Sequence, residues 1–449
     1  MSHDLLEIAQ RTLAEAIRLG ARQVEVYVSS VRSLNLEVEN NVINTVSQHS
    51  DAGVGVRVLV GKRMGYAYAT DILESDAMQV AHDSVALARI ALPDPALESL
   101  PSPSGGYPSV GGLYDRRIGD LTLEDATDMV LETVDAAREV LVHQDFAIEA
   151  HLTCASSSRA IVSSLGVEGV SSSTSILVSC SPTIRTHDDQ TSSYDYELGR
   201  SLDSVSPAHV GANAAQNALE VLGARTVECG DMPLVLTPMA VESVLDPGLT
   251  EALNAEEVLF GRSFMGNAIG EEVASQELHV VDDALLPGGI GSRVFDGEGM
   301  PSQRTELISD GVLKSLLHNS YSAFKVGVPN TANASRISYR TPPGISSSNL
   351  VVIPGSGHID DLVAEMSRGI VCRYTGDRPN PATGDLSALV MEGFYVEDGS
   401  IKHPIKNTLV GINMRDLLKR VVRIGSDVRM LSTVVTPSIL IDSVRVTSG

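Results

Sequence analysis

The chain has 449 residues, with 33 Lys and Arg against 57 Asp and Glu, and a formal net charge of −24 at pH 7. Its 43% hydrophobic content is ample for packed cores, and its length fits two or three domains. The charge argues against a protein built to grip a phosphate backbone, and 4% aromatic content without Trp argues against stacking platforms for bases or sugars.

The opening residues place Leu5, Ile8, Ala9, Leu13, Ala16 and Ile17 on one helical stripe. Asp4 and Glu7 stand at capping-box spacing and Gly20 reads as a stop. No basic start leads into an apolar block and no run of 18 apolar residues occurs, so a cytoplasmic protein without membrane contact is expected. The period then changes to two: Val24, Val26 and Val28 alternate with polar neighbours, Leu34, Leu36 and Val38 do so after a short turn, and Val54 to Val60 give a third run. Gly61-Lys62 is a turn before Tyr66 and Tyr68, and a helix follows over about 74–92.

The stretch 99–119 is rich in Ser, Pro and Gly and reads as a linker or surface loop. A helix from Thr122 to about Val142 precedes four short strands, the last ending at Cys180. Ser206-Pro207 opens another helix, to about Leu222. Hairpins outnumber crossovers, which predicts an α+β fold. The boundary falls at about 200–230, giving an N-terminal helix and antiparallel-sheet domain (1–215) and a C-terminal β-rich domain with peripheral helices (216–449). The second part opens with the strand PLVLTP and the helix MAVESVL, and later helices are expected at about 360–368 and 413–421.

Common hydrolytic chemistry leaves no signature. Of eleven His, none has another His four residues on and none is followed by Glu, so the helical zinc pattern is absent. His3 with Glu7, His279 with Asp283 and the His187-Asp188-Asp189 cluster are the nearest substitutes. No G-x-S-x-G elbow or phosphate loop occurs; Gly53-Val54-Gly55 and Gly288-Gly289 lack the rest of such a pattern. Cys154, Cys180, Cys229 and Cys372 are far apart without a CxxC pair, which fits scattered thiols in a reducing compartment. The densest feature is Ser263 to Leu313, where Asp282, Asp283, Arg293, Asp296, Glu298 and Arg304 stand among glycines. Tight turns fixed by charged hydrogen bonds are expected there, with Arg293, Asp296, Glu298 and Arg304 as candidates for contact with a peptide or a partner chain.

The same stretch carries a SxxGxxIGExVAS run (Ser263 to Ser275), VVDD (Val280 to Asp283) and DGEGMPSQRTELISDGVL (Asp296 to Leu313). With GVGVRVLVGKRMGYAYATD at 53–71 and the block from Gly384 to Val428, these resemble the TldD/PmbA family over nearly the whole chain. In TldD-type chains the resemblance implies a zinc site made by HExxxH and a Cys near the C-terminus. Here 233–253 holds no His, with Asp246 and Pro247 roughly where the His-Glu would stand, and no Cys follows Val428. The resemblance is therefore to the PmbA (TldE) arm. It implies a non-catalytic subunit without a cofactor of its own, zinc in a TldD-type partner subunit, and action on small or unfolded proteins and a peptide precursor. An effect on DNA gyrase is also attached to the family, without direct nucleic-acid binding. Pairing of the chain with itself is the expectation when the partner is absent. An independent metallopeptidase using His187 with Asp188 or Asp189, or a gyrase-modulating binding protein, are the alternatives.

Overall fold

The structure, a computed structural model, describes residues 2–102 and 105–449, with the side chains of Ser2 and His3 outside the description. The pairing of His3 with Glu7 therefore lies outside the described residues.

Helix α1 (Ser2–Arg18) is followed by three antiparallel strands, β1 (Gln23–Glu39), β2 (Val42–Val60) and β3 (Arg63–Ala69), and by α2 (Glu74–Ile90). Asp4 sits inside the first turn of α1 rather than at its cap. A one-turn helix α3 (Arg116–Gly119) and α4 (Leu123–Val140) precede β4 (Asp145–Ser163) and β5 (Glu168–Arg185). Thr122 and Asp125 form a capping box at the start of α4. Short strands β6 (Gln190–Ser192) and β7 (Asp195–Gly199) and helix α5 (Pro207–Glu220) end this half. The sheet order is β3-β2-β1-β4-β5-β6, with β7 also on β5.

The strands are longer than the sequence pattern predicts. The short turn expected between Val28 and Leu34 does not exist; β1 runs through it, paired on both sides with β2 and β4. Ser30 and Arg32 break the hydrophobic alternation but not the ladder, which depends on backbone groups alone. Likewise the four short strands expected after α4 are two, joined through Ser-rich centres where Ser157 and Ser173 are hydrogen-bonded at 2.9 Å.

Parity in β1 decides the layering. Val24, Val26, Val28, Leu34, Leu36 and Val38 are all even, so they share one face, and they are buried under two helical pairs. α1 and α2 cover one end of that face, while α4 and α5 cover the other. The odd-numbered face, with Glu25, Tyr27 and Ser29, turns toward the C-terminal half. There Tyr27 and Ile161 pack with Phe295 and Tyr339 in a buried cluster.

The C-terminal half begins with β8 (Gly230–Leu236) and α6 (Pro238–Ala252). β8 is central in an eight-stranded sheet, parallel to 368–374 on one side and antiparallel to 439–448 on the other. A six-stranded sheet, built around 280–283, 304–309 and 350–352, faces it. One core joins the two sheets and α6: Leu234, Leu236, Val241, Leu245, Val280 and Leu307 are all part of it. Val235 and Val371 point the other way, against Leu362 and Met366. α6 is twice the length of the MAVESVL segment and runs through Pro247, because Leu249 and Ala252 continue its buried stripe. Among the described residues no helix is long and apolar enough to cross a membrane.

Candidate functional site

Two places stand out. The first is the turn network of 282–304, pressed against the odd face of the N-terminal sheet. The Asp296 carboxylate accepts from the backbone N–H groups of Glu298 (2.8 Å), Met300 (2.9 Å) and Ala334 (3.1 Å). It is wholly buried, and its pKa is pushed up to about 7, first by burial and then by the charge of Glu298. Glu298 accepts from the Ser320 N–H at 2.9 Å and from Arg57 of β2 at 2.9 Å. Burial raises its pKa, but Arg57 and Ser320 outweigh that and the net shift is downward. Arg57 also donates to Glu25 at 2.6 Å, and Arg336 closes the group by donating to Glu25. Two carboxylates and two guanidiniums from both halves thus form one buried set of ion pairs.

The residues singled out in sequence separate here. Asp296 and Glu298 are adjacent and fully engaged inside the chain. Arg293 lies close by, with Nη2 donating to the Ala332 carbonyl at 3.3 Å and Nε buried without a partner. Arg304 stands apart on strand 304–309, about half exposed, its Nε 3.8 Å from Asp283. Gly53 and Gly55, which in sequence form only a fragment of a phosphate loop, have a packing role. A Cβ on Gly53 would lie 2.3 Å from the Tyr339 ring, and one on Gly55 2.3 Å from the Tyr339 carbonyl.

The second place is where α6 meets the C-terminal stretch. Glu242 and Asp246, four apart and so on one face of α6, border a cavity of about 350 Å³ together with Tyr194, Tyr196, Tyr374 and Ser432. The Tyr196 hydroxyl donates to Glu242 at 2.6 Å, and the Thr250 hydroxyl donates to Asp246 at 3.2 Å. Burial raises the pKa of both carboxyls. The two stretches expected to hold metal ligands in TldD-type chains therefore do come together. What they offer is two carboxyls biased toward their neutral forms, a hydroxyl and the nearby cations Arg378 and Arg429. A hydrolytic zinc site takes three protein ligands, normally with imidazole or thiolate among them. Among the described residues no group of three His, Cys, Asp or Glu could hold a metal, so this donor set does not fit zinc. Glu242 and Tyr196 were not legible as cavity residues, since the signal is an i, i+4 pair of acids on a helix that the sequence makes look shorter.

His187 is 95% exposed in a turn with its Nδ1 2.6 Å from Asp188, while the Asp189 carboxylate accepts from the Gly223 N–H at 3.1 Å, so the cluster points apart. Cys372 is buried, and burial pushes its thiol up to about 12.

Comparison with known proteins covers the whole fold. Models described as PmbA/TldA metallopeptidase domain 1, central domain and C-terminal domain match residues 24–88, 116–222 and 229–448. The metalloprotease PmbA homolog of Haemophilus influenzae is 26% identical, over 97% of this chain and 94% of its own. The metalloprotease TldD homolog of Buchnera aphidicola is 26% identical, over 88% and 83%. The crystal structure of TldE from Thermococcus kodakarensis superposes with a TM-score of 0.91 at 20% identity, over 98% of this chain and all of that one. The chain belongs to the PmbA/TldD metallopeptidase family, on its PmbA side.

Proposed function

We propose that this chain is the non-catalytic member of a two-chain metallopeptidase in the cytoplasm, acting on small or unfolded proteins and on peptide precursors. A TldD-type subunit would hold the zinc. The observation that carries the reading is the cavity beside α6, where Glu242 is occupied by the Tyr196 hydroxyl and no imidazole or thiolate is at hand. Without such ligands nothing lining this cavity would lower the pKa of a metal-bound water.

Its contribution would be to close the chamber and hold an extended peptide. The eight-stranded sheet ends on Asp385–Leu389, a strand paired on one side, and an added strand would gain backbone hydrogen bonds independent of sequence. Arg293 and Arg304 are the peptide or partner contacts we favour, since Asp296 and Glu298 are committed inside the chain.

Reconstitution tests this. The purified chain alone should bind zinc well below one equivalent and cleave no unfolded protein, and it should raise cleavage when mixed with a TldD-type chain. Turnover by the isolated chain that a chelator abolishes would overturn the reading.

A further inference from the structure

A cavity of about 490 Å³ lies on the odd face of the N-terminal sheet, away from α6, closed on its far side by the loop 290–293. Its walls follow from strand register. Ser29 of β1 is opposite Arg159 of β4, and Arg159 is opposite Ser171 of β5, so all three side chains emerge on one face beside Tyr27. The C-terminal half adds Arg293, and Arg200, just after β7, completes a set of three guanidiniums around one space.

On a chain with a net charge of −24, three arginines in one cavity would be expected to have carboxylate partners. Among the described residues none of the three has an acid within ion-pair distance. Arg159 donates to the Phe295 carbonyl at 2.9 Å and lies over the Phe295 ring. Arg200 donates to the carbonyls of Gly289 at 2.8 Å and Thr174 at 3.0 Å. Arg293 has its single contact to Ala332 and a buried Nε with no acceptor at all. Asp51, the acid in the lining, is already held by the Tyr339 hydroxyl at 2.8 Å and by Arg340 at 3.0 Å. Burial, and then the charge of Arg159, hold Arg200 down at about 10. The charges of Asp296 and Asp282 act on Arg293 from beyond ion-pair distance, but Arg159 and Arg200 repel each other with no carboxylate paired to either, so that side of the cavity is short of one anion.

We propose that this cavity binds a small oxyanion, a carboxylate or a phosphate, gripped by Arg159 and Arg293 and completed by the Ser29 and Ser171 hydroxyls. Guanidinium forks match both groups in geometry, and the space is within the range of small-ligand pockets. Arg200 supplies charge while its donors stay on the loop carbonyls. Two sources share this chemistry, the free carboxylate of a short peptide and inorganic phosphate. Overall charge repels both, so any affinity must come from the local site.

Calorimetry on the isolated full chain tests it, with three probes: inorganic phosphate, N-acetyl-dialanine with a free carboxylate, and the same peptide as its C-terminal amide. Phosphate or the free-carboxylate peptide should bind and the amide should not; which of the two binds identifies the source. Arg159→Gln should weaken that binding about tenfold or more. Because Arg159 also packs on Phe295, Ser171→Asp provides the second variant. It sets a carboxylate directly across from Arg159, so binding should be lost while the thermal midpoint holds or rises. Absence of binding by both oxyanions at millimolar concentration, equal binding of the amide, or unchanged affinity in Ser171→Asp would overturn the proposal. No cleavage is measured, so the result stands whatever becomes of the partner-subunit reading.

Discussion

Arg57 and Glu298 are 241 residues apart in sequence, yet the guanidinium Nη1 donates to the carboxylate at 2.9 Å with both side chains buried. Burial works against the charge of Arg57, but Glu25 and Glu298 outweigh it and its pKa rises. The pair fastens the β2 strand to the turn network of the other half. Its value lies in what happens when it is broken, because removing Glu298 leaves Arg57 and Arg336 sharing Glu25 alone, one buried positive charge too many.

Glu298→Ala is therefore expected to destabilise the protein by about 3–5 kcal/mol, measured by urea unfolding. The double variant Glu298→Ala with Arg57→Met should be less destabilised than the sum of the two single ones, since it leaves Glu25 and Arg336 as a balanced pair of charges. Strict additivity would mean that the two groups do not depend on each other.

Gly55→Ala puts a methyl 2.3 Å from the Tyr339 carbonyl, a backbone atom that cannot rotate away. A loss of about 1–3 kcal/mol is expected, on the scale of overpacked cores. Gly230→Ala, where nothing lies within 4 Å of the added Cβ, is the control and should be close to neutral. Thermal unfolding of both proteins decides between interface packing and mere loss of a glycine.

His318 is buried, and burial holds its pKa down at about 4, against 6.5 for an exposed imidazole. Between these values the unfolded chain binds the proton and the folded chain does not. This group therefore makes stability fall as pH drops from about 6.5 toward about 4. Asp296 slopes the other way over part of the same range, because its folded pKa lies above its unfolded one. The difference between wild type and His318→Gln isolates the imidazole: the wild type should lose more stability on acidification. Parallel pH profiles would refute the assignment.

Four Cys occur in the sequence and they should react unequally. Cys154, Cys180 and Cys372 are buried, with thiols pushed up to about 12 by burial, while Cys229 is exposed. A chromogenic thiol reagent should label Cys229 in the native protein and all four in denaturant. Rapid native labelling of Cys372 would show that its strand opens easily.

The sequence by itself determined the α+β character, the helical stripe of α1, the start of α4 near Thr122 and the lack of an HExxxH run, since each depends on residue type and local spacing. The valines of β1 disclosed their shared face through parity alone, although Ser30 and Arg32 on that face hid that they belong to one strand. Local pattern could identify Asp296 and Glu298 as unusual but could not distinguish a contact surface from a buried ionic joint. Their partners, Ala334, Ser320 and Arg57, lie 38, 22 and 241 residues away. Tertiary structure alone decided that joint, the meeting of Glu242 with Tyr196 and the gathering of Arg159, Arg200 and Arg293. In each case the energy of a charged group is set by what folding brings within a few ångströms, and sequence spacing carries no record of that distance.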